Sequence, residues 1–251
     1  MKVVVTFAVD AEFAPWRRLQ RFERIKERDA VIFRMRSREA EVHTVLTGIG
    51  AQRATPHLKE LLKTADVCIV SGLVGSLNKP HGVGSVLVAR NVRRDSGDRS
   101  IRSDESLVKA AIECGAAPVD TLCTTAGVVT SASAKVRLSS IADAVDMETF
   151  QLMTEAEKSG VSAVPVRAVS DAADQNLPLD FNQAINAAGN IEWLPVMSQV
   201  AASPRCLPQL LRFGLQSSKA ARKLATFLDR YLKCLIAEAH CHVTGTGMEV
   251  R

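Results

Sequence analysis

The sequence predicts an α/β fold: a single domain of three layers, with a central mixed, largely parallel twisted sheet flanked by helices, and a C-terminal helical extension. The runs Lys2 to Val9, Val67 to Ser71 and Val164 to Val169 are nearly continuous in apolar and β-branched residues, which is typical of strands covered on both faces. Segments with helical spacing alternate with such strands, which indicates parallel pairing. No internal repeat or low-complexity linker divides the 251 residues.

The other elements follow from the same periodicities and from glycine and proline positions. The further predicted strands are Ala30 to Arg36, Glu41 to Leu46, Ser85 to Val92 and Thr121 to Val129, with a short strand or turn at Ala144 to Met147. The predicted helices are Trp16 to Glu27, opened by Pro15, then a helix that follows the glycine turn and ends at Lys63, and Asp104 to Gly115, Glu148 to Gly160, Trp193 to Ala202 and Leu207 to Leu235. Ala134 to Ile141 is predicted to be a short helix or loop.

The positive charge is concentrated at the C-terminus. The formal net charge is +5, and from Ala201 onward eight basic residues face three acidic ones. We therefore treat 1–251 as one domain in which 190–240 form a basic helical extension. Such an extension could meet an anionic membrane surface or a phosphate-bearing partner. Nucleic acid is not expected, because aromatic residues make up only 4% and no basic run is interleaved with them.

The cysteines and the N-terminus predict a cytoplasmic protein. Six cysteines are scattered without paired spacing, which favours reduced thiols without disulfides or structural zinc. His240-Cys241-His242 could hold a metal, but a frayed terminus is the favoured interpretation, so no metal site is predicted. The apolar run that ends at Val9 is too short for a signal peptide, and no stretch approaches the roughly 20 apolar residues of a membrane span.

Acidic residues stand where predicted strands end. Glu12 follows the first strand, and Ser170-Asp171 follows the strand that contains Arg167. A Ser-Asp pair commonly caps the next helix or turn. Arg167 favours a different role, because a guanidinium within a buried strand requires an anionic partner. Carboxylates at the ends of separate strands could divide acid and base roles between them.

The glycine turn has two interpretations. Gly48, Gly50 and Ala54 stand between a strand and a helix, as in one version of a dinucleotide-binding turn. The acid that should close the next strand is missing, since Asp66 precedes that strand. Tight strand-to-helix packing is the favoured alternative. There is also no phosphate-binding lysine motif and no serine nucleophile elbow, so the carboxylates are the better chemical candidates.

Taken in order, five segments resemble the purine nucleoside phosphorylase superfamily, and most of all its 5′-methylthioadenosine/S-adenosylhomocysteine nucleosidases. The resemblance covers roughly residues 1 to 182. The matching segments are Ala8-Val9-Asp10-Ala11-Glu12, Gly48-Ile49-Gly50, Ser71-Gly72 with Gly75, Val145-Asp146-Met147-Glu148, and Val166-Arg167-Ala168-Val169-Ser170-Asp171 with Asp174.

This resemblance implies an enzyme that cleaves the N-glycosidic bond of an adenosine-type nucleoside and releases adenine. Asp171 would be the general acid that protonates the leaving base, and must carry a proton to do so. The implied roles of the other residues are Glu12 for activating water, Arg167 beside the ribose and nucleophile, Glu148 and Met147 for ribose binding, Val129, Thr130, Ser170 and Phe181 for base binding, and Gly50 and Leu73 for the nucleophile pocket.

Several departures leave the substrate open. Leu73 stands where the family has a small serine, and Val129 where it has an aromatic residue. Leu177-Pro178, Gly189-Asn190, Pro204 and Leu207 to Arg212 resemble the C-terminal extension of hopanoid-associated phosphorylases, linked to adenine release from adenosylhopane. These features suggest a bulkier or more apolar 5′ group. Water and phosphate both stay open as nucleophile; phosphate would be a co-substrate, and no cofactor is implied. A homodimer is expected.

Two alternatives stand beside this interpretation. The chain could be a non-catalytic nucleoside-binding or membrane-docking module on the same fold. The extension, with Leu207, Leu210, Leu211 and Leu215 beside Arg212 and Lys219, could rest on an anionic membrane. The favoured alternative for the extension is a terminal helix that packs on the domain or on a dimer mate, because most amphipathic helices cover a core.

Overall fold

The computed structural model describes residues 1–27, 30–51, 55–186 and 189–245. Ala54, the last residue of the glycine pattern, lies outside the described residues, as do the side chains of His240, Cys241 and His242. The strands are β1 Lys2–Phe7, β2 Glu23–Lys26, β3 Val31–Arg36, β4 Glu41–Leu46, β5 Val67–Ser76, β6 Val86–Arg94, β7 Ser100–Arg102, β8 Ala117–Thr124, β9 Ala144–Asp146 and β10 Ser162–Asp171.

The strands form one mixed sheet that is partly closed. Its order is β10-β6-β8-β9-β5-β1-β4-β3-β2, with β7 on β6. A further pairing of β10 with β5 closes β5, β10, β6, β8 and β9 into a ring. The predicted mixed sheet is present, but its largely parallel character is not confirmed: β1–β4, β1–β5, β5–β10, β6–β8 and β8–β9 are parallel, and five other pairings of the described strands are antiparallel. Hairpins and the short strand β9 supply four of the antiparallel pairs, and the fifth is the long-range pair β10–β6.

Helices cover both faces of the sheet. They are α1 Asp10–Leu19, α2 Thr55–Leu62, α3 Glu105–Glu113, α4 Ala132–Leu138, α5 Thr149–Lys158, α6 Trp193–Ala202 and α7 Leu207–Gly245. Apolar residues of α1, α3 and α7 share one core with the sheet, and those of α2 and α5 share the other. The three-layer arrangement follows from this division.

The first helix does not begin where its proline predicts. Helix α1 starts at Asp10 and includes Pro15, while Glu23 to Lys26, expected to be helical, form β2. Pro15 is the sixth residue of α1, beyond the first four positions whose amides need no helical partner, so it interrupts one hydrogen bond inside the helix instead of opening it. As a result, Glu12 lies in the first turn of α1, directly after β1.

The C-terminal extension divides into two parts. Helix α6 spans the predicted 193–202, and α7 begins at the predicted Leu207 but continues to Gly245. The second half of α7 is part of the main core, where Leu224 and Tyr231 are fully buried and the Tyr231 hydroxyl donates to the Leu107 carbonyl at 2.7 Å. The expectation that the terminal helix packs on the domain therefore holds for this half. No described helix is long and apolar enough to cross a membrane.

Candidate active site

The carboxyl ends of three neighbouring parallel strands bring the candidate residues together. Strand β5 lies between β1 and β10, and its register pairs Gly72 with Arg167 and Gly75 with Asp171. Glu12 follows β1 on the other side of β5. Ligands of α/β sheets bind outside the carboxyl ends of such strands. The sheet order therefore assembles a site from segments that are far apart in sequence.

Glu12 is a buried carboxylate held by backbone amides. Its Oε2 accepts from the Ala8 amide at 3.0 Å, and its Oε1 accepts from the Leu73 amide at 3.0 Å. Burial raises the pKa of Glu12, although the positive charge of Arg167 and the backbone hydrogen bonds oppose this rise. The amides fix the position of the carboxylate, while its raised pKa makes it a better proton acceptor than a solvated glutamate.

Arg167 has the anionic partners that its burial demands. The side chain is 2% exposed, and its Nη2 lies 2.6 Å from Asp146 Oδ2 and 3.9 Å from Glu148 Oε2. Its Nε also donates to the Thr149 hydroxyl at 3.0 Å. The guanidinium thus links the end of β10 to the segment that carries Asp146, Glu148 and Thr149.

Gly72 leaves room for this ion-pair network. A Cβ atom at this position would overlap the Arg167 guanidinium and would lie 3.1 Å from Glu12 Oε2. Its φ of +143° is also one that residues with side chains rarely adopt. Glycine at this point in β5 allows Glu12 and Arg167 to approach the same stretch of backbone.

Glu148 closes the network beside the glycine turn. Its Oε1 accepts from the Gly50 amide at 2.9 Å. Burial, together with the nearby negative charge of Asp146, raises the pKa of Glu148 to about 8, against the opposing effect of Arg167. The glycine turn thus has a structural role at this carboxylate: Gly50 adopts a left-handed φ of 71° that presents its amide to Glu148.

Asp171 has a different environment from Glu12 and Glu148. Its Oδ2 accepts from the ammonium group of Lys135 at 2.5 Å, and its Oδ1 accepts from the Ser170 hydroxyl at 2.6 Å. Lys135 is fully buried, and its ammonium also donates to the Ala172 carbonyl at 2.7 Å. Asp171 therefore forms a buried ion pair with Lys135, in addition to its hydrogen bond with Ser170.

A cavity connects Asp171 to several residues with predicted binding roles. It is lined by Gly75, Thr125, Gly127, Val128, Val129, Val145, Asp146, Met147, Asp171 and Leu177. Val129 and Met147 thus line the same cavity as Asp171. Thr130 lines two neighbouring clefts, and its carbonyl accepts from the Leu177 amide at 2.8 Å. Phe181 is half-buried and packs against Phe213, with ring centroids 5.5 Å apart, in a small core below α6.

Sequence reasoning missed three contributors to the site. The sequence predicts a short helix or loop around Lys135 and indicates no individual role for Lys135, Asp146 or Thr149. Asp146 accepts from the Thr124 hydroxyl at 2.8 Å and pairs with Arg167. The buried Arg167 was a signal that such an anion must exist. No comparable signal pointed to Lys135, because a lysine in a helix is normally solvated.

Comparisons with solved structures show that this fold is shared with proteins named as a hydrolase and as nucleosidases. Native futalosine hydrolase of Helicobacter pylori matches with a TM-score of 0.70 and 21% identity, over 93% of this chain and 97% of that chain. The 5′-methylthioadenosine/S-adenosylhomocysteine nucleosidase of Campylobacter jejuni matches with a TM-score of 0.71 and 17% identity, over 94% and 99%. A variant of the Helicobacter pylori nucleosidase with 5′-methylthioadenosine in its active site matches with a TM-score of 0.69 and 20% identity, over 92% and 98%.

The family comparison is consistent with this fold. Residues 2–191 match the Phosphorylase superfamily, and the chain belongs to it. This confirms the predicted membership in a superfamily of nucleoside phosphorylases and nucleosidases. No curated protein matches the sequence significantly.

Proposed function

We propose that the protein is a nucleosidase that hydrolyses the N-glycosidic bond of an adenosine-type nucleoside. The observation that carries this proposal is the placement of two buried carboxylates along β5, with Glu12 against Gly72 and Asp171 against Gly75. Three residues of strand span roughly 10 Å. In this proposal the five-membered ring of a purine, the anomeric carbon and an attacking water lie between the two carboxyl groups.

Each residue would then have one task in the reaction. Asp171 would deliver a proton to the leaving base, and Glu12 would take a proton from the attacking water. Glu148 would accept the ribose hydroxyls, with Met147 against the sugar. Arg167 would hold Glu148 and favour its charged form. Val129 beside Asp171 would contact the base; Thr130, Ser170 and Phe181 keep their predicted base-binding roles as part of this proposal.

The electrostatics of the nucleophile side favour water over phosphate. The Gly50 and Leu73 amides, which could hold an anion, already donate to Glu148 and Glu12. Arg167 faces Asp146 and Glu148. The charge of Arg167 also interacts with that of Glu12. Even with a proton on Glu148, the charges of Glu12 and Asp146 outnumber that of Arg167, so a phosphate dianion beside these residues would meet more negative than positive charge.

An assay of adenine release tests the reaction and its nucleophile together. Purified protein is incubated with adenosine, 5′-methylthioadenosine and 5′-alkyl analogues, with and without phosphate. We expect free adenine and a free sugar in the absence of phosphate. Strict dependence on phosphate, with a ribose 1-phosphate product, would contradict hydrolysis and make phosphate the co-substrate.

The substrate is proposed to carry an apolar 5′ group, and adenosylhopane is the specific candidate. Leu73 and Val129 make the pocket more aliphatic than in the resembling nucleosidases. The Ile49 amide also donates to the Gly189 carbonyl at 3.0 Å, next to the Gly50 amide that holds Glu148. The C-terminal extension therefore begins beside the proposed ribose site, where a 5′ group could reach it. A cytoplasmic location and a homodimer stay predictions.

The part of the extension from residue 191 to residue 223 is proposed to contact an anionic membrane. Of the ten large apolar side chains exposed on the described residues, seven belong to this part of the chain: Ile191, Trp193, Leu194, Met197, Leu207, Leu211 and Leu215. Between 191 and 223, five basic residues face one acidic residue. Two copies of such a basic surface would repel each other, whereas anionic lipid would complement its charge.

Vesicle binding distinguishes an anionic membrane from a second copy of the protein as the partner of this surface. We expect the protein to co-sediment with vesicles that contain anionic phosphatidylglycerol, and less with neutral vesicles or at high salt. Replacing Leu211 and Leu215 by serine should reduce this binding severalfold. Replacing the exposed Leu19 of α1 by serine is the matched control and should not. Binding to neither vesicle type, or dimerisation that the Leu211 and Leu215 changes abolish, would contradict the membrane proposal.

The pKa of Glu148 predicts a pH dependence of nucleoside binding. Below pH about 8 the free site holds a proton on Glu148. Ribose hydroxyls donate to the carboxylate, so binding must release that proton. Affinity should therefore fall as the pH drops below about 8, by up to about tenfold per pH unit. The measurement is the Kd of a non-cleavable adenosine analogue between pH 6 and pH 9.

The Glu148→Gln variant is the control for this dependence. It should bind more weakly at pH 9, and its affinity should vary much less between pH 6 and pH 9. If wild-type affinity were constant over this range, Glu148 would not be the ionised acceptor of the ribose hydroxyls. If the variant kept the full slope, another group, such as Glu12, would be responsible for it.

A further inference from the structure

Lys135 is a buried cation with no assigned role. Helix α4 directs it inward, where the whole side chain is solvent-inaccessible. Its ammonium lies 2.5 Å from Asp171 Oδ2 and 2.7 Å from the Ala172 carbonyl oxygen. Full burial of an ammonium is costly, and this arrangement compensates it with the carboxylate that faces the cavity. Lys135 therefore reaches the reacting atoms only through Asp171.

This ion pair bears on the proposed role of Asp171. A general acid must carry a proton when the base leaves. An ammonium 2.5 Å from one carboxylate oxygen, and a hydroxyl that donates to the other, both stabilise the charged, unprotonated form. An anionic Asp171 can orient a base but cannot protonate it alone. The proton must come from a group that contacts Asp171, and Lys135 is an ionisable group in that position.

We propose that Lys135 is the proton source for Asp171, an inference that rests on the proposed nucleosidase function. As the bond from the anomeric carbon to N9 breaks, its electron pair moves into the purine. The purine takes a proton at N7 from Asp171, and Asp171 takes one from Lys135, which becomes a neutral amine. Water bonds to the anomeric carbon and gives a proton to Glu12. After product release, Glu12 loses this proton to solvent and Lys135 regains one.

Lysine suits this role in a way that arginine does not. A lysine ammonium can give up a proton to a neighbouring base, whereas arginine stays protonated in proteins. Lys135→Arg should therefore preserve the charge beside Asp171 but block proton supply. Lys135→Met removes both the charge and the proton. The two variants differ in charge, but both lack a transferable proton. Comparing them therefore separates the supply of a proton from the electrostatic effect of a positive charge beside Asp171.

The test compares two leaving groups. Adenosine needs protonation of its base, and 4-nitrophenyl β-riboside does not, because its phenolate leaves readily. For both Lys135 variants we expect kcat/KM to fall about 10²-fold or more with adenosine and to change by less than about threefold with the nitrophenyl riboside. The Lys135→Met/Asp171→Asn double variant should lose no more activity on adenosine than Asp171→Asn alone, because both act on one proton path.

Each outcome bears on a different claim. Equal losses with both substrates, or a Lys135→Arg variant with full activity on adenosine, would overturn the proton-source role. So would a double variant with the summed losses of the single changes. If instead the wild-type protein cleaves no nucleoside, the proposed function itself fails. Circular dichroism and thermal melting of each variant identify any loss that comes from unfolding.

Discussion

Replacing Asp171 by asparagine is expected to slow adenine release by about 10²- to 10⁴-fold. Asparagine keeps the size of the side chain and can still contact the base, but it cannot relay a proton. The loss should therefore appear in kcat, with little change in the Kd of a non-cleavable adenosine analogue. The measurement is steady-state adenine release, together with calorimetric titration of that analogue.

The controls for Asp171→Asn test whether the variant is folded and whether the protein is an enzyme or a non-catalytic binding module. The change leaves Lys135 without its anion, so stability should fall, and thermal melting must show that the variant is folded at the assay temperature. Asp98→Asn, in an exposed loop, is the matched control and should keep full activity. Unchanged cellular function of Asp171→Asn, with unchanged ligand binding, would support a non-catalytic nucleoside-binding module and contradict the enzyme proposal.

Replacing Glu12 by glutamine is expected to reduce kcat by a similar factor, about 10²- to 10⁴-fold. The amide cannot accept a proton from water, and its NH₂ group would face the Ala8 or Leu73 amide, both of which donate to Glu12. Burial raises the pKa of Glu12. Because a base must be unprotonated, wild-type kcat should fall as the pH decreases through this raised pKa.

The Glu12 prediction is checked by the pH profile of single-turnover rates. Glu113→Gln, an exposed position on α3, serves as the matched control and should leave the profile unchanged. A Glu12→Gln variant with a raised KM but an unchanged kcat would show that Glu12 contributes to binding alone. In that case the attacking water would need a different base.

The sequence predicts those parts of the candidate site that follow from the positions where strands end. Parallel strands end at one edge of a sheet, so the strand pattern alone places the acidic residues after Phe7 close to those at the end of β10. The burial of Arg167 within a strand required an anion, but not a particular one. Asp146 and Thr149 are its partners because β9 and β10 both pair with β5, an arrangement that no local pattern specifies.

The burial of Lys135 and the pairing of the strands depend on the tertiary environment, which local sequence patterns do not specify. In α4, hydrophobicity would bury Val136 and expose Lys135, yet Val136 is 68% exposed and Lys135 is fully buried. The carboxylate of Asp171 provides Lys135 with a partner that no local pattern contains. The predicted largely parallel character of the mixed sheet is not confirmed for a related reason: periodicity identifies strands, whereas ring closure through β10–β6 depends on long-range pairing.

By itself the sequence determined most of the strands and helices that carry the candidate site, the concentration of charge in the extension, and the resemblance that predicts Glu12, Glu148 and Asp171 as site residues. The tertiary structure alone decided which charges meet. It paired Lys135 with Asp171, gave Glu148 a pKa of about 8, and divided α7 into a buried half and an exposed apolar one. The physical reason is that burial and Coulomb interactions depend on distances between segments far apart in sequence, which local patterns do not specify.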